Sequence, residues 1–221
     1  MNLHELVSQV ISDTVDKSLP AFGPELALCI TIFVLLLARI LPYGEKIDAF
    51  YLAIAGLVIG LAIPGSLPWH LATGGESVPR TEIFTGMLVY DGFTQMLRCV
   101  LLLFAILLAL LTKITRVFDW RDGPDIYTLI LGATLGMCLM ASANHLLMVF
   151  LAVEMASVPS YVLAGMRKDQ LKSSEAALKY SIYGAGTAGI MLYGISLVAG
   201  VLHTLHLPTL AVELIQQTPT I

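Results

Sequence analysis

The sequence predicts an all-α polytopic membrane bundle of six spans, and three observations carry that expectation. Of its 221 residues, 57% are hydrophobic and only 13% charged, against roughly 45–50% apolar and about 25% charged in an ordinary soluble domain. The apolar residues collect into six runs, each of the length that crosses a hydrocarbon core of about 30 Å as a helix. Most of the charges fall in the short connections between those runs. Lipid offers backbone groups no hydrogen-bond partner, and the runs lack the alternation of barrel strands, so helix is the form left.

Residues 1–20 come first. Leu3, Leu6, Val7, Val10, Ile11 and Val15 recur at helical spacing with Glu5, Asp13, Asp16 and Lys17 between them, the pattern of an amphipathic helix lying in the interface. The segment lacks the basic start and continuous apolar centre of a cleaved signal peptide. The transmembrane domain, 21–221, follows, with spans expected at about 23–41, 49–67, 93–111, 125–142, 145–165 and 176–202. Between the second and third, the connection from Pro68 to Gly92 ends in TEIFTGMLVYDG, which reads either as a short hairpin around its Gly or as a solvated loop.

Orientation follows from the basic residues. Arg39, Lys46, Lys113, Arg116, Arg121, Arg167, Lys168 and Lys172 lie in the connections after spans one, three and five, and only Lys17 and Arg80 lie on the other side. Positive residues stay cytoplasmic, which puts the N-terminus outside and, with six spans, Ile221 outside as well. Small residues recur four apart at Gly56 and Gly60, Gly132 and Gly136, and Ala185 and Gly189, a spacing that lets helix backbones approach.

Several chemistries find no support. Net charge is −4, with no basic run to bind nucleic acid. Cys29, Cys99 and Cys138 sit singly in separate spans and read as packing residues rather than a metal or redox motif. No phosphate loop, dinucleotide fingerprint or nucleophile elbow is present, so redox chemistry would belong to a partner. His203 and His206 are three apart, a spacing a metal can use, but they read as interfacial side chains, and no metal is expected.

Three ionisable residues lie inside spans and away from their capped ends: Arg98, Glu154 and Lys179. A charge at the centre of a membrane helix costs about 2.5–3.5 kcal/mol on insertion scales. Arg98, close to the outer end of span three, is expected to snorkel to the headgroups. Glu154 is too short and too deep for that, standing near the middle of NHLLMVFLAVEMASVPSYVLAG. Pro159 removes an N–H from the Met155 carbonyl and is expected to kink the helix. With the hydroxyls of Ser157 and Ser160, the freed carbonyl and the acid would hold water, making Glu154 a candidate proton-exchanging group. A structural ion pair is the alternative. In the sixth span Ser173 reads as the N-cap, with Glu175 in the first turn. Lys179 then either pairs locally with Glu175 at i+4 or reaches inward toward Glu154.

From Leu135 to Gly200 the pieces LGMCLMASANHLL, the acid five residues before PSYVLAG, SSEAALKY and LYGISL follow one another, with PELAL at 24–28 and MLVYDGF at 87–93 upstream. This ordered set resembles the N subunit (2 in mitochondria) of proton-pumping NADH:quinone oxidoreductase, respiratory complex I. The resemblance implies an antiporter-like fold and a part in proton translocation coupled to electron transfer from NADH to quinone. Glu154 would match the family's fifth-helix acid and Lys179 its AALKY lysine. It implies no redox cofactor in this chain, with FMN and iron–sulfur clusters on partner subunits, which would also handle NADH and quinone. The other membrane subunits of the complex, in the plasma membrane, would be its neighbours. The family continues into further helices arranged as inverted repeats, so the expectation is a fragment or one half of a split subunit. A related cation/proton antiporter, a membrane-bound hydrogenase, or a scaffold subunit carrying no protons are the alternatives.

Overall fold

The structure, a computed structural model, describes residues 7, 11–40, 48–63, 79–115, 123–167 and 169–217. A π-helical turn, Thr14–Ser18, leads through Leu19–Ala21 into α1 (Gly23–Ile40). Then come α2 (Ala49–Ala62), strands β1 (Thr81–Ile83) and β2 (Leu88–Tyr90), α3 (Gly92–Thr115), α4 (Gly123–Ser142), α5 (Leu146–Ala164), α6 (Leu171–Leu202) and α7 (Leu207–Gln217). Lys46, Arg116, Arg121 and Lys168, four of the cations that set the expected orientation, lie outside the described residues, as does most of 1–10.

Five helices, α1, α3, α4, α5 and α6, are long and apolar enough to cross a membrane. The second expected span is shorter: α2 has 14 residues, about 21 Å at 1.5 Å per residue, against a core of about 30 Å. Six spans are therefore expected and five are clear, because residues 64–67 of the second run lie outside the described part. The sixth run begins earlier than expected, and its 32-residue helix measures about 48 Å, longer than the hydrocarbon core.

Local chemistry sets the helix ends. Asp48 accepts from the Phe50 N–H at 3.2 Å, Asp91 from Thr94 at 2.8 Å, and His145 Nδ1 from Leu147 at 3.3 Å. Each supplies an acceptor for the unpaired N–H groups of a first turn. Ser173 does not cap α6. Gln170 holds that position, and the Ser173 hydroxyl instead donates to the Ala164 carbonyl at 2.7 Å, tying the start of α6 to the end of α5. The orphan carbonyls at the end of α5 compete for this hydroxyl and win it.

Of the two readings of TEIFTGMLVYDG, the hairpin forms: β1 and β2 pair antiparallel with Glu82 opposite Val89. Its turn takes three successive positive φ values, at Phe84, Thr85 and Gly86. Gly86 fits that region without cost, whereas the other two are held by context. Phe84 packs edge-on against Phe22 at 5.3 Å, and its N–H donates to Ser18 Oγ at 3.1 Å. Ile83 and Leu88 point into the core.

α4 is the central helix, packed on α1, α2, α3 and α5. Lipid is as apolar as leucine, so burying helix sides in a bilayer gains little by itself, and close approach must supply the attraction. The first two small-residue pairs do this. A methyl on Gly136 would lie 2.6 Å from the Ala156 nitrogen of α5, one on Gly132 would lie 3.7 Å from the Pro159 ring, and one on Gly56 would overlap Thr31 of α1. A methyl on Gly189 would meet nothing within 4 Å, so among the described residues no neighbouring helix packs closely on that glycine. Of the cysteines, Cys138 packs in the core and Cys29 is exposed. At the end of the bundle where α1 and α3 finish, ion pairs join Arg39 to Asp125 and Lys113 to Asp48, with Lys113 also 5.2 Å from the Phe50 ring centroid. These tie α1 to α4 and α3 to α2.

Candidate functional site

Glu154 stands half-buried on α5, eight residues after its first residue and ten before its last. Among the described residues it makes no ion pair and no hydrogen bond to another side chain. Pro159 lies inside α5, which continues as helix to Ala164. The nearby hydroxyls turn onto their own helix: Ser157 donates to Val153 O at 2.7 Å and Ser160 to Ser157 O at 2.6 Å. Ser160 Oγ also lies 3.3 Å from the Tyr180 hydroxyl of α6, and the Tyr161 and Tyr180 rings meet edge to face at 4.6 Å.

Lys179 takes the local option. Its Nζ meets Glu175 Oε1 at 2.5 Å, and both side chains are more than half exposed. The Tyr161–Tyr180 contact sets its level against α5, since Tyr180 is its chain neighbour and Tyr161 lies seven residues past Glu154. Those seven residues span about 10 Å of helix axis. Glu154 and Lys179 therefore lie at different levels of the α5–α6 pair, with Ser157 and Ser160 of α5 at intermediate levels.

Arg98 does not snorkel. It is fully buried, as is Glu25 of α1, and the two meet at 2.6 Å between Nε and Oε1. Arg98 Nη1 also donates to the Ala21 carbonyl at 3.1 Å, and its guanidinium stands 5.8 Å from the Tyr90 ring centroid. The reason is topological. The hairpin and the segment leading into α1 close over the N-terminal end of α3, so Arg98 is surrounded by protein, and a buried cation needs a buried partner. Sequence reasoning missed Glu25, whose first-turn position looks like an ordinary response to the helix dipole. Two opposite charges near the first turns of spans one and three were the available signal.

A second unanticipated cluster centres on Asn144, in the turn between α4 and α5. It is buried and bonded on every side: Oδ1 accepts from Arg80 at 3.2 Å, and Nδ2 faces Glu82 Oε1, the Gly86 carbonyl and His206 Nε2 at 3.2, 3.2 and 2.9 Å. Its backbone N–H donates to Met87 O and its carbonyl accepts from Leu207 N. One asparagine thus ties the hairpin, the α4–α5 turn and the α6–α7 turn together. The two histidines are used differently. His206 joins this network and contacts Thr209 at 2.8 Å, whereas His203 ends α6 with a left-handed φ of 52°.

Known membrane proteins are similar to this chain in sequence and fold. The family described as NADH:quinone oxidoreductase/Mrp antiporter, TM, matches residues 143–220, which hold both Glu154 and Lys179. NADH-quinone oxidoreductase subunit N 2 of Sorangium cellulosum is 39% identical over 207 residues, covering 89% of this chain and 39% of that protein. F(420)H(2) dehydrogenase subunit N of Methanosarcina mazei is 36% identical over 192 residues, 86% of this chain and 38% of its own. Among solved structures, a chain of respiratory complex I from Thermus thermophilus with bound aureothin superposes with a TM-score of 0.62 at 31% identity, over 86% of this chain and 41% of that one. This chain spans about two-fifths of the length of the relatives it matches. With sequence, fold and membrane character in agreement, the chain is homologous to subunit N of NADH-quinone oxidoreductase, a membrane subunit of antiporter-like fold.

Proposed function

We propose that this chain takes part in proton translocation coupled to electron transfer from NADH to quinone, as part of a membrane subunit of NADH:quinone oxidoreductase, with Glu154 and Lys179 handling the proton. The observation that carries this is Glu154 itself. A carboxylate near the middle of a 19-residue apolar helix, without a salt-bridge partner among the described residues, is costly to keep for structure alone. Its place within the matched antiporter region supports a transport role. Because Lys179 sits about 10 Å along the axis and holds Glu175, protons would pass between the two through hydroxyls and water, not by direct contact. When Glu154 takes up a proton its charge vanishes, and Lys179 is then free to favour Glu175; when Glu154 loses it, the lysine is drawn back toward α5.

In this reading the chain carries no redox cofactor. FMN and iron–sulfur clusters, NADH and quinone belong to partner subunits, and the complex lies in the plasma membrane with this chain's N-terminus outside. Residues 1–20 form an interfacial segment beside a transmembrane domain, 21–221, a division supported by the exposed apolar stripe Val7, Ile11, Val15 and Leu19. The test is Glu154→Gln in the assembled complex: NADH oxidation through the peripheral arm persists while proton pumping falls severalfold. Normal pumping in a normally assembled Glu154→Gln complex removes Glu154 from the mechanism, and normal pumping by Glu154→Leu as well would favour a scaffold role.

The Methanosarcina relative, named for a different electron donor, favours a second reading in which the same membrane part serves a related complex. Purifying the complex and identifying which reduced cofactor drives its pumping separates the two.

A further inference from the structure

Nine buried polar or charged side chains occur among the described residues, and most satisfy themselves. Thr31, Thr134 and Ser142 donate to carbonyls of their own helices, and Asn144 is bonded on every side. The buried side-chain atoms without a hydrogen-bond partner fall on only three residues: both oxygens of Glu25, Oε1 of Gln95, and Nε and Nη2 of Arg98. Arg98 links them, touching Glu25 directly and Gln95 through Tyr90. Glu25 and Arg98 meet at 2.6 Å between Oε1 and Nε, which leaves Glu25 Oε2 and Arg98 Nη2 for other partners. Gln95 stands one turn before Arg98 on the same face of α3. Its amide nitrogen donates to the Tyr90 hydroxyl, and the ring of Tyr90 lies beside the Arg98 guanidinium.

Native proteins rarely leave such groups unpaired, and clusters of them mark ordered water. A buried water typically makes about three hydrogen bonds to otherwise unsatisfied polar groups. The geometry points to an internal water site in the outer half of the bundle, at which one water donates to Glu25 Oε2 and Gln95 Oε1 and accepts from Arg98 Nη2. Two acceptors and one donor on the protein match the two hydrogens and a lone pair of a single water. The Glu25–Arg98 pair is then a hydrated ion pair, sealed from the outer surface by the hairpin and by the start of α1. This site is separate from Glu154 and Lys179 and does not depend on their role.

A density map of the assembled membrane protein, at a resolution that shows ordered waters elsewhere in the bundle, tests this directly. The expected result is a peak within about 3.2 Å of all three atoms. A map that shows waters elsewhere but finds these atoms paired directly with protein groups, and no peak, overturns the site. Gln95→Leu provides a second arm: the peak is lost or displaced toward Glu25 while the Glu25–Arg98 contact persists. An unmoved peak in Gln95→Leu overturns the assigned three-bond coordination. If that variant does not assemble, the unsubstituted map still decides.

Discussion

The first four helices and the last long pair solve the same problem, life in lipid, in opposite ways. In α4 more than half of the membrane-length window is buried within the chain, whereas in α5 and α6 the share is 6%. The four-helix part buries its charges as a matched pair, Glu25 with Arg98, and closes α2 on α1 through Gly56. The α5–α6 pair touches the rest of the chain along one side of α5. It keeps Glu154 without an ionic partner, holds Lys179 in an exposed local pair, and leaves Gly186, Gly189 and Gly194 facing open space. A charge that is locked by a partner supports a scaffold; one that is not can change its protonation. The difference separates the structural ion pair of this chain from its candidate transport group.

The comparison breaks or sharpens at four substitutions. The largest effect is expected from Arg98→Leu, which leaves the buried Glu25 carboxylate without its counter-charge and costs about 3–5 kcal/mol. Thermal unfolding of the purified membrane protein measures it. Adding Glu25→Leu should recover most of the loss, because two apolar groups replace a pair that costs desolvation; a double variant as unstable as the single one would show that the two residues do not act together.

Next comes Gly136→Val. Its Cβ would meet the α5 backbone at 2.6 Å, and since backbone cannot step aside like a side-chain end, a loss of about 1–3 kcal/mol follows. The same unfolding assay, with a cysteine crosslink reporting the α4–α5 contact, checks it.

Gly189→Ala should do the reverse and stabilise α6 by about 0.5–1 kcal/mol, the usual gain from replacing a mid-helix glycine where space is open. A loss in the assembled protein would mean that another protein surface covers this face. Smallest is Glu175→Gln: the pair with Lys179 is mostly solvent-accessible, and such pairs contribute about 0–1 kcal/mol. Unfolding should barely change, while the pumping assay reports whether Lys179 depends on that partner.

Much of this was legible in the chain. The apolar runs located every long helix to within a few residues, apart from the early start of α6, and TEIFTGMLVYDG read equally as a hairpin or a loop, of which the hairpin forms. Glu154 stood out because the cost of a mid-span acid is a property of one residue and its depth. Other features were hidden for a common reason. Ser173 looks like a cap in its own neighbourhood, yet it bonds a carbonyl nine residues back. Arg98 looks able to snorkel until the hairpin and α1 close over it, and its partner lies 73 positions upstream by residue number, 98 − 25. Asn144, one polar residue in a helix turn, gives no local hint that three connections meet on its amide.

The sequence by itself determined what depends on composition and period: a membrane bundle, where its helices run, and which acid is expensive. Only the tertiary structure decided which charges are paired, because an ion pair is set by which residues the fold brings within a few ångströms. Depth along a helix can be read from a run of residues, whereas the neighbour across a helix interface cannot.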